Sequence, residues 1–435
     1  MTLRILRKTL PAVLAAALVF SFSGYTLAAP RGFSDFSYSG EYVSGQFHDV
    51  DETDWFARYV EGAFNYGFIQ GKGADTFDPD GLLTLGEAVK LAARLRSIYY
   101  TGAADFVEGV PYYAVYARYA LTHGIISSHG DYTAPADRAC FAELIYNALP
   151  SEAFEIINDI PDYAISDVAP APGFGAAAYT LYRAGILTGA DRFGAFFPHS
   201  FITRAEACAV MVRLADPAAR QNAGPAARIP ASVIYERNVN AVIMFETFDV
   251  DDESIRTGSG FFISNAGYAI TNLHVIDNAA RATATFYNGD VLDVLGVLAV
   301  SEEFNLAMVA VGLEGGSCDY LILADSDLIE TGNTVYALGS PLSLINSMSS
   351  GIIGNTAREV SGETLIQFTA AISFGSGGSP LLNTRGQVVG VTSSSFSYGQ
   401  NLNLAVPINH VKSLTPGECI PLEEFLLLRA SEEEP

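Results

Sequence analysis

Cysteine is scarce in this chain: Cys140, Cys208, Cys318 and Cys419 are the only four in 435 residues. No two stand as Cys-x-x-Cys, which excludes the common zinc and dithiol redox motifs. Four cysteines in a chain of this length do not make a disulfide framework. Cys140 and Cys208 fall in apolar helical patterns and read as small buried hydrophobes. One stretch, Asp49-Val-Asp51-Glu-Thr-Asp54, looks briefly like a calcium loop. It lacks the glycine at the sixth place and the glutamate at the twelfth. It reads instead as a polar helix entry, and neither a metal nor a cofactor is expected. Basic residues are also few. Lys and Arg number 24 against 48 Asp and Glu, a formal charge of −24. Such a surface repels a phosphate backbone, which argues against nucleic acid as a partner. Histidine is thin as well: of six, only His274 and His410 lie beyond residue 230. Any histidine chemistry in that half must rest on one of these two.

What is present begins with Arg4, Arg7 and Lys8, an apolar core from Leu10 to Phe20, and small residues at Thr26-Leu27-Ala28. This is the pattern of a secretory signal peptide, residues 1–28, cleaved before Ala29. Its core is too short for a membrane span of roughly 20 residues. No later run is long and apolar enough, so no stable span is expected after cleavage. A short lead, 29–46, follows.

Residues 47–216 then hold three imperfect copies of one unit, at 47–100, 101–160 and 161–216. The first runs Phe47-His-Asp-Val50, Trp55, Tyr59, Gly67-Phe-Ile-Gln-Gly71, Phe77-Asp-Pro79 and Thr84-Leu-Gly-Glu87. The third runs Ile165-Ser-Asp-Val168, Gly185-Ile-Leu-Thr-Gly189, Phe196-Phe-Pro198 and Thr203-Arg-Ala-Glu206. The second is the most worn: Phe106, Gly124-Ile-Ile, Tyr132 to Pro135 and Asp137-Arg-Ala-Cys140. Apolar residues at helical spacing over 54–66 predict a helix stopped by Gly67. Thr84 with Glu87, and Thr203 with Glu206, are capping boxes that open the next helix. Each unit is therefore helix–loop–helix, and one copy cannot bury its apolar stripe alone. These motifs resemble S-layer homology (SLH) repeats, which usually come in threes. The resemblance implies an all-α triple-repeat region that binds secondary cell-wall polysaccharide in grooves between repeats. It places the anionic sugar against Arg138 and Arg204, with Trp55 beside them. A guanidinium fork matches a carboxylate in two bonds. The first copy has Leu85 where the others have arginine, which leaves its groove in doubt.

Residues 217–230, rich in alanine and proline, read as a linker. From 231 to 415 the texture becomes short β-branched and aromatic runs separated by Gly, Asn, Asp and Ser, which predicts an all-β barrel or sandwich. A C-terminal tail, 416–435, follows, and its acidic end from Leu427 to Pro435 is expected to fray. Two segments carry the chemistry: Gly267-Tyr-Ala-Ile-Thr-Asn-Leu-His274 and Ala370-Ala-Ile-Ser-Phe-Gly375-Ser-Gly-Gly-Ser-Pro380. They resemble the histidine and nucleophile segments of trypsin-like, HtrA-like serine proteases, and the resemblance implies the double six-stranded barrel of that family.

Matched residue by residue, His274 takes the general-base position. Asn305, in Phe-Asn305-Leu-Ala, takes the place of the orienting aspartate. Gly377 takes that of the nucleophile, and the Gly375 and Gly377 amides would form the oxyanion hole. An amide cannot stabilise an imidazolium, and glycine has no oxygen to attack a carbonyl. Ala371 falls near the expected base of a small or apolar specificity pocket. Three readings follow. The first is a secreted, wall-anchored pseudoprotease that binds peptide or protein segments. The second is an active surface endopeptidase using His274 and Ser376 in a shifted register. The third is an envelope structural protein whose barrel is a relic.

Overall fold

The computed structural model describes residues 32–340, 346–393 and 402–432. The expected signal peptide lies outside them. Among the described residues no helix is long and apolar enough to cross a membrane, and no cluster of metal-ligating side chains occurs.

The three repeats form three helix pairs. They are α1 (Ala57–Asn65) with α2 (Leu85–Thr101), α3 (Ala114–Thr122) with α4 (Arg138–Ala148), and α5 (Phe174–Arg183) with α6 (Arg204–Ala215). The first helices are followed by Gly67, Gly124 and Gly185 at φ of 69°, 70° and 68°, a backbone region glycine enters at little cost. Both capping boxes form. Thr84 N donates to Glu87 Oε2 at 2.9 Å while Glu87 N donates to Thr84 Oγ1 at 3.2 Å, and Thr203 with Glu206 repeats the pattern. The second repeat keeps half of it, Cys140 N donating to Asp137 Oδ1 at 2.7 Å.

The helices pack across repeats, not only within them: α1 against α6, α3 against α2, α5 against α4. The three units thus close into a ring. At its centre three amides chase one another, Leu83 N to Ile202 O, Ile202 N to Ala136 O and Ala136 N to Leu83 O, at 3.0, 3.1 and 2.8 Å. All three residues are buried in the ring's one continuous core. A single repeat would expose both its stripe and these amides.

The remainder is two closed six-stranded antiparallel barrels. The first comprises β1 (Val242–Phe248), β2 (Ser254–Phe262), β3 (Tyr268–Asn272), β4 (Arg281–Thr285), β5 (Val291–Ser301) and β6 (Leu306–Val311), in the order β1-β2-β3-β6-β5-β4. The second comprises β7 (Thr334–Gly339), β8 (Ser347–Val360), β9 (Glu363–Phe368), β10 (Pro380–Leu382), β11 (Val388–Ser393) and β12 (Asn403–Pro407), in the order β10-β11-β12-β9-β8-β7. The chain is thus an all-α repeat region followed by an all-β double barrel. Four short helices accompany the barrels: α7 (Ala231–Asn238), α8 (Leu273–Ile276), α9 (Ile408–Lys412) and α10 (Leu422–Glu432).

Two regions differ from the sequence expectation. The segment expected to fray is helical to residue 432. It is held because Leu422 and Phe425 enter the first barrel's core and Arg429 pairs with Asp277 and Glu302. Nor is 217–230 a free tether. Gln221 N bonds Gly185 O, Ala226 N bonds Phe193 O, and Ile229 N bonds Thr384 O, at 2.9, 2.9 and 3.0 Å. Around it, buried Gln387 donates to Ile165 O at 2.9 Å, and Arg237 pairs with Asp191. Composition alone reads alanine and proline as slack. Ile229, inside the stretch, joins the barrels' core instead, and Phe193, well before it, packs against that core. Limited subtilisin digestion should therefore spare 217–230 in the native protein. Arg237→Ala should open it to cleavage, read as new fragments on a gel.

All four cysteines are free thiols. Cys208 is fully buried and its pKa is pushed up to about 12 by desolvation, which suits a packed hydrophobe. Cys140 is only half-buried.

Candidate functional site

His274 sits on α8, one turn beyond β3. Asn305 immediately precedes β6. Antiparallel pairing sets Asn272 opposite Leu306, so the two side chains must meet. Asn305 has φ of 50°, a left-handed conformation that asparagine tolerates better than most residues. Its side chain clasps the histidine twice. His274 N donates to Asn305 Oδ1 at 2.9 Å, and Asn305 Nδ2 lies 2.8 Å from His274 Nδ1.

These two contacts fix the protonation pattern. A backbone N–H can only donate, so the atom it meets must be the amide oxygen. The atom facing the ring is then the NH2, which can only donate. Nδ1 must accept, and in the neutral ring the proton sits on Nε2. Burial lowers the pKa of His274 and the charge of Arg256 adds to this, while the contact with Asn305 and the charge of Asp277 oppose it. The ring is therefore held neutral, with its outward nitrogen a donor. A general base needs the opposite arrangement.

The segment expected to carry the nucleophile runs between β9 and β10 and docks on the first barrel. Gly375 and Gly378 both have φ of 87°. A Cβ on Gly378 would lie 2.2 Å from Ser259 O and 2.5 Å from Thr271 Oγ1, so only glycine lets this loop approach. Its carbonyls are all tied inward. Gly375 O accepts from Ser259 Oγ at 2.7 Å, Ser376 O from Thr392 Oγ1 at 2.5 Å, and Gly377 O from Ser259 N at 2.8 Å. Ser376 is buried, and its hydroxyl accepts from Ser373 N at 3.3 Å within the same loop. Ala371 is exposed, its carbonyl held by Ser349 Oγ at 2.6 Å. A cavity of about 240 Å³ lies behind, lined by Met348, Ser349, Ala371, Ser373 and Ser376 among others. His410 lies on α9, stacked on Phe304 at 3.6 Å between ring centres.

In the helical ring, the two expected arginines are not loose first-turn residues. Each crosses to the next repeat. Arg138 donates to Phe196 O at 2.7 Å and pairs with Glu206 at 2.5 Å. Arg204 donates to Phe77 O at 3.0 Å and to Gln70 O at 2.7 Å, and lies 3.6 Å from Glu87. Each guanidinium also covers a ring, Phe196 or Phe77. The capping-box glutamates thus have a second task that sequence reading missed. The signal was present at the third junction, where Leu85, Gly130 and Cys140 replace the arginine, the phenylalanine and the glutamate together. Backbone bonds confirm the equivalence. Gly86 N bonds Tyr132 O as Ala139 N bonds Pro198 O and Ala205 N bonds Pro79 O. Two grooves open beside the arginines. One of about 440 Å³ is lined by Arg138, Glu206, Arg213 and Trp55, the last 60% exposed. The other, about 520 Å³, is lined by Arg204, Lys72, Lys90, Arg94 and Glu87.

Residues 258–391 match the family described as trypsin-like peptidase domain. Residues 46–89 and 164–208 match the S-layer homology domain, leaving the worn second repeat outside the match. HhoA of Synechocystis sp., which bears a serine-protease name, is 32% identical over 164 residues, 36% of this chain and 41% of that protein. Serine protease HTRA1 of Xenopus laevis is 29% identical over 191 residues, 41% of each chain. A DegP-like periplasmic serine endoprotease of Pseudomonas putida is 30% identical over 181 residues, 40% of this chain and 37% of its own. The chain spans about two-fifths of the length of these relatives. The matches thus set S-layer homology repeats before a trypsin-like peptidase domain that is similar to HtrA and DegP serine proteases.

Proposed function

We propose that this chain, S-layer homology repeats fused to a trypsin-like domain, is a secreted cell-wall-anchored protein whose double barrel binds peptide segments without cutting them. The carrying observation is the amide of Asn305 on His274 Nδ1; the motif resemblance adds Gly377 at the position of the attacking hydroxyl. A base in the wrong tautomer and a missing nucleophile are independent defects: the first lowers turnover about 10⁴-fold and the second removes the attacking oxygen. The helical ring is assigned to secondary cell-wall polysaccharide, with Arg138, Arg204 and Trp55 at its two charged grooves. Both arginines already hold protein partners. A sugar carboxylate would then meet the outer donors of each fork beside Arg213, or beside Lys72 and Arg94.

Attack by Ser376, the second reading, is weakened by its burial and by its bond from Ser373 N. The test is casein and a pooled fluorogenic peptide set, with wild type against Ser376→Ala. Neither should release fragments. Turnover by wild type that Ser376→Ala abolishes would establish the endopeptidase. For the wall, the full chain should sediment with sacculi bearing the polysaccharide. Equal retention by stripped sacculi would remove that assignment.

A further inference from the structure

Among the described residues, every arginine that is buried or half-buried gives its guanidinium a protein acceptor, with one exception. Arg94, Arg96 and Arg213 leave Nε unpaired, yet each donates through Nη to a carbonyl. Arg385 is half-buried, its Nε is shielded from solvent, and among the described residues its guanidinium meets no acceptor at all. The turn that carries it does not need that side chain. Arg385 N and Gln387 N both donate to Asn383 Oδ1, at 2.8 and 3.1 Å, and Gly386 N donates to Asn383 O at 3.0 Å. A charge withdrawn from water without a partner costs free energy, so a guanidinium in this state is a binding group in search of an anion.

Arg385 borders a cavity of about 640 Å³ between the third repeat, α7 and both barrels. That volume is in the range of small-ligand sites. Arg385 also borders a hollow of about 280 Å³ beside Asn383, which falls short of that range. Across the larger cavity His199 Nε2 and Tyr320 Oη lie 3.0 Å apart and close the wall between the modules. A second arginine there, Arg237, is already taken by Asp191 and by Ser166 Oγ at 3.3 Å. The cavity shares no lining residue with the grooves at Arg138 and Arg204.

The remaining lining sets the class of anion. Asp167, Glu236 and Asp319 border the same space, so it accepts one negative charge and resists two. Asp167 is itself satisfied by Phe196 N and Phe197 N at 2.9 and 2.6 Å. A carboxylate matches a guanidinium fork in two bonds and carries a single charge, whereas a phosphate monoester carries about −1.5 to −2. Phe197 and Tyr320 offer flat apolar faces, and Ser200 and Asn265 offer uncharged hydrogen-bonding groups. That mixture suits a hydroxylated ring. We propose that the cavity binds an acidic sugar, one ring bearing one carboxylate, with the carboxylate on Arg385. Such an occupant touches the helical ring and both barrels at once, so its binding tightens their junction.

The test uses the full chain and four probes at fixed ionic strength: methyl β-D-glucuronide, methyl β-D-glucoside, glucose 6-phosphate and acetate. The readout is the ¹⁵N–¹H resonance of Arg385 Nε, identified by its loss in Arg385→Gln, so sugar bound at other grooves does not register. The glucuronide should move this resonance saturably and bind about 10-fold or more tightly than each of the other three. Saturating glucuronide should raise the melting midpoint of wild type more than that of Arg385→Gln. Without sugar, Arg385→Gln should melt no lower than wild type, because the guanidinium serves no acceptor in the protein. A resonance that the glucuronide leaves in place, or equal affinity for any of the other probes, would overturn the acidic-sugar site. A sugar-free midpoint several degrees lower in Arg385→Gln would make the guanidinium structural and overturn it as well.

Discussion

Asn305→Asp combined with Gly377→Ser should convert a protein that leaves casein intact into one that cuts it. The double variant should exceed the product of the two single effects by about 10³-fold or more. The two substitutions reverse hydrogen-bond polarity at a preserved geometry. Asn305 Oδ1 already accepts from His274 N at 2.9 Å, and aspartate keeps that bond with one oxygen. Its other oxygen replaces the NH2 that lies 2.8 Å from Nδ1. Nδ1 must then carry the proton, and Nε2 becomes the acceptor that a serine hydroxyl needs. In other triad proteases the reverse change, aspartate to asparagine, lowers turnover about 10⁴-fold with the geometry intact. Serine at 377 alone supplies an oxygen that no base activates. Aspartate at 305 alone supplies a base with nothing to deprotonate. The initial rates of peptide hydrolysis by the four proteins, plotted as a double-mutant cycle, give the coupling directly. Equal, negligible rates in all four would mean that the loop bearing Gly377 does not present its side chain to His274.

The sequence carried much of this. Thr84 with Glu87 and Thr203 with Glu206 announced helix starts because a capping box is a local device, complete within four residues. Gly67 announced a helix end for the same reason. The pairing of Asn305 with His274 was legible because each follows from a short motif next to one of two paired strands. What stayed hidden is non-local. The arginines read as solvated first-turn residues or sugar ligands, since nothing within their own repeat shows Phe196 O or Phe77 O waiting across the ring. The proline-rich stretch at 217–230 looked loose because its partners, Phe193 and Thr384, lie in different modules. The acidic end looked frayed until Leu422 and Phe425 found the first barrel. Contacts at long sequence separation decided order.

The helical ring should depend on Arg204 for its fold before any ligand is considered. The side chain is 3% exposed and serves Phe77 O, Gln70 O and Glu87 at once, closing the third repeat onto the first. Truncation to alanine removes both donors, empties the space over the Phe77 ring and leaves two carbonyls without partners. Breaking a buried pair in this way costs about 3–5 kcal/mol. For a unit of this size that is a fall of roughly 6–20 °C in its melting midpoint. Glu87 limits the damage, since it keeps Lys72 at 2.9 Å and its bond from Thr84 N. Arg204→Lys should recover little, because one ammonium cannot replace a planar fork directed at two carbonyls. Leu85→Ala, at the junction that evolved without an arginine, should cost less than half as much. Hydrogen exchange would locate the loss, with amides of α1 and α6 opening first because those helices meet across the weakened seam. An Arg204→Ala protein that melts within a degree of wild type yet no longer sediments with sacculi would instead make this arginine a ligand residue alone.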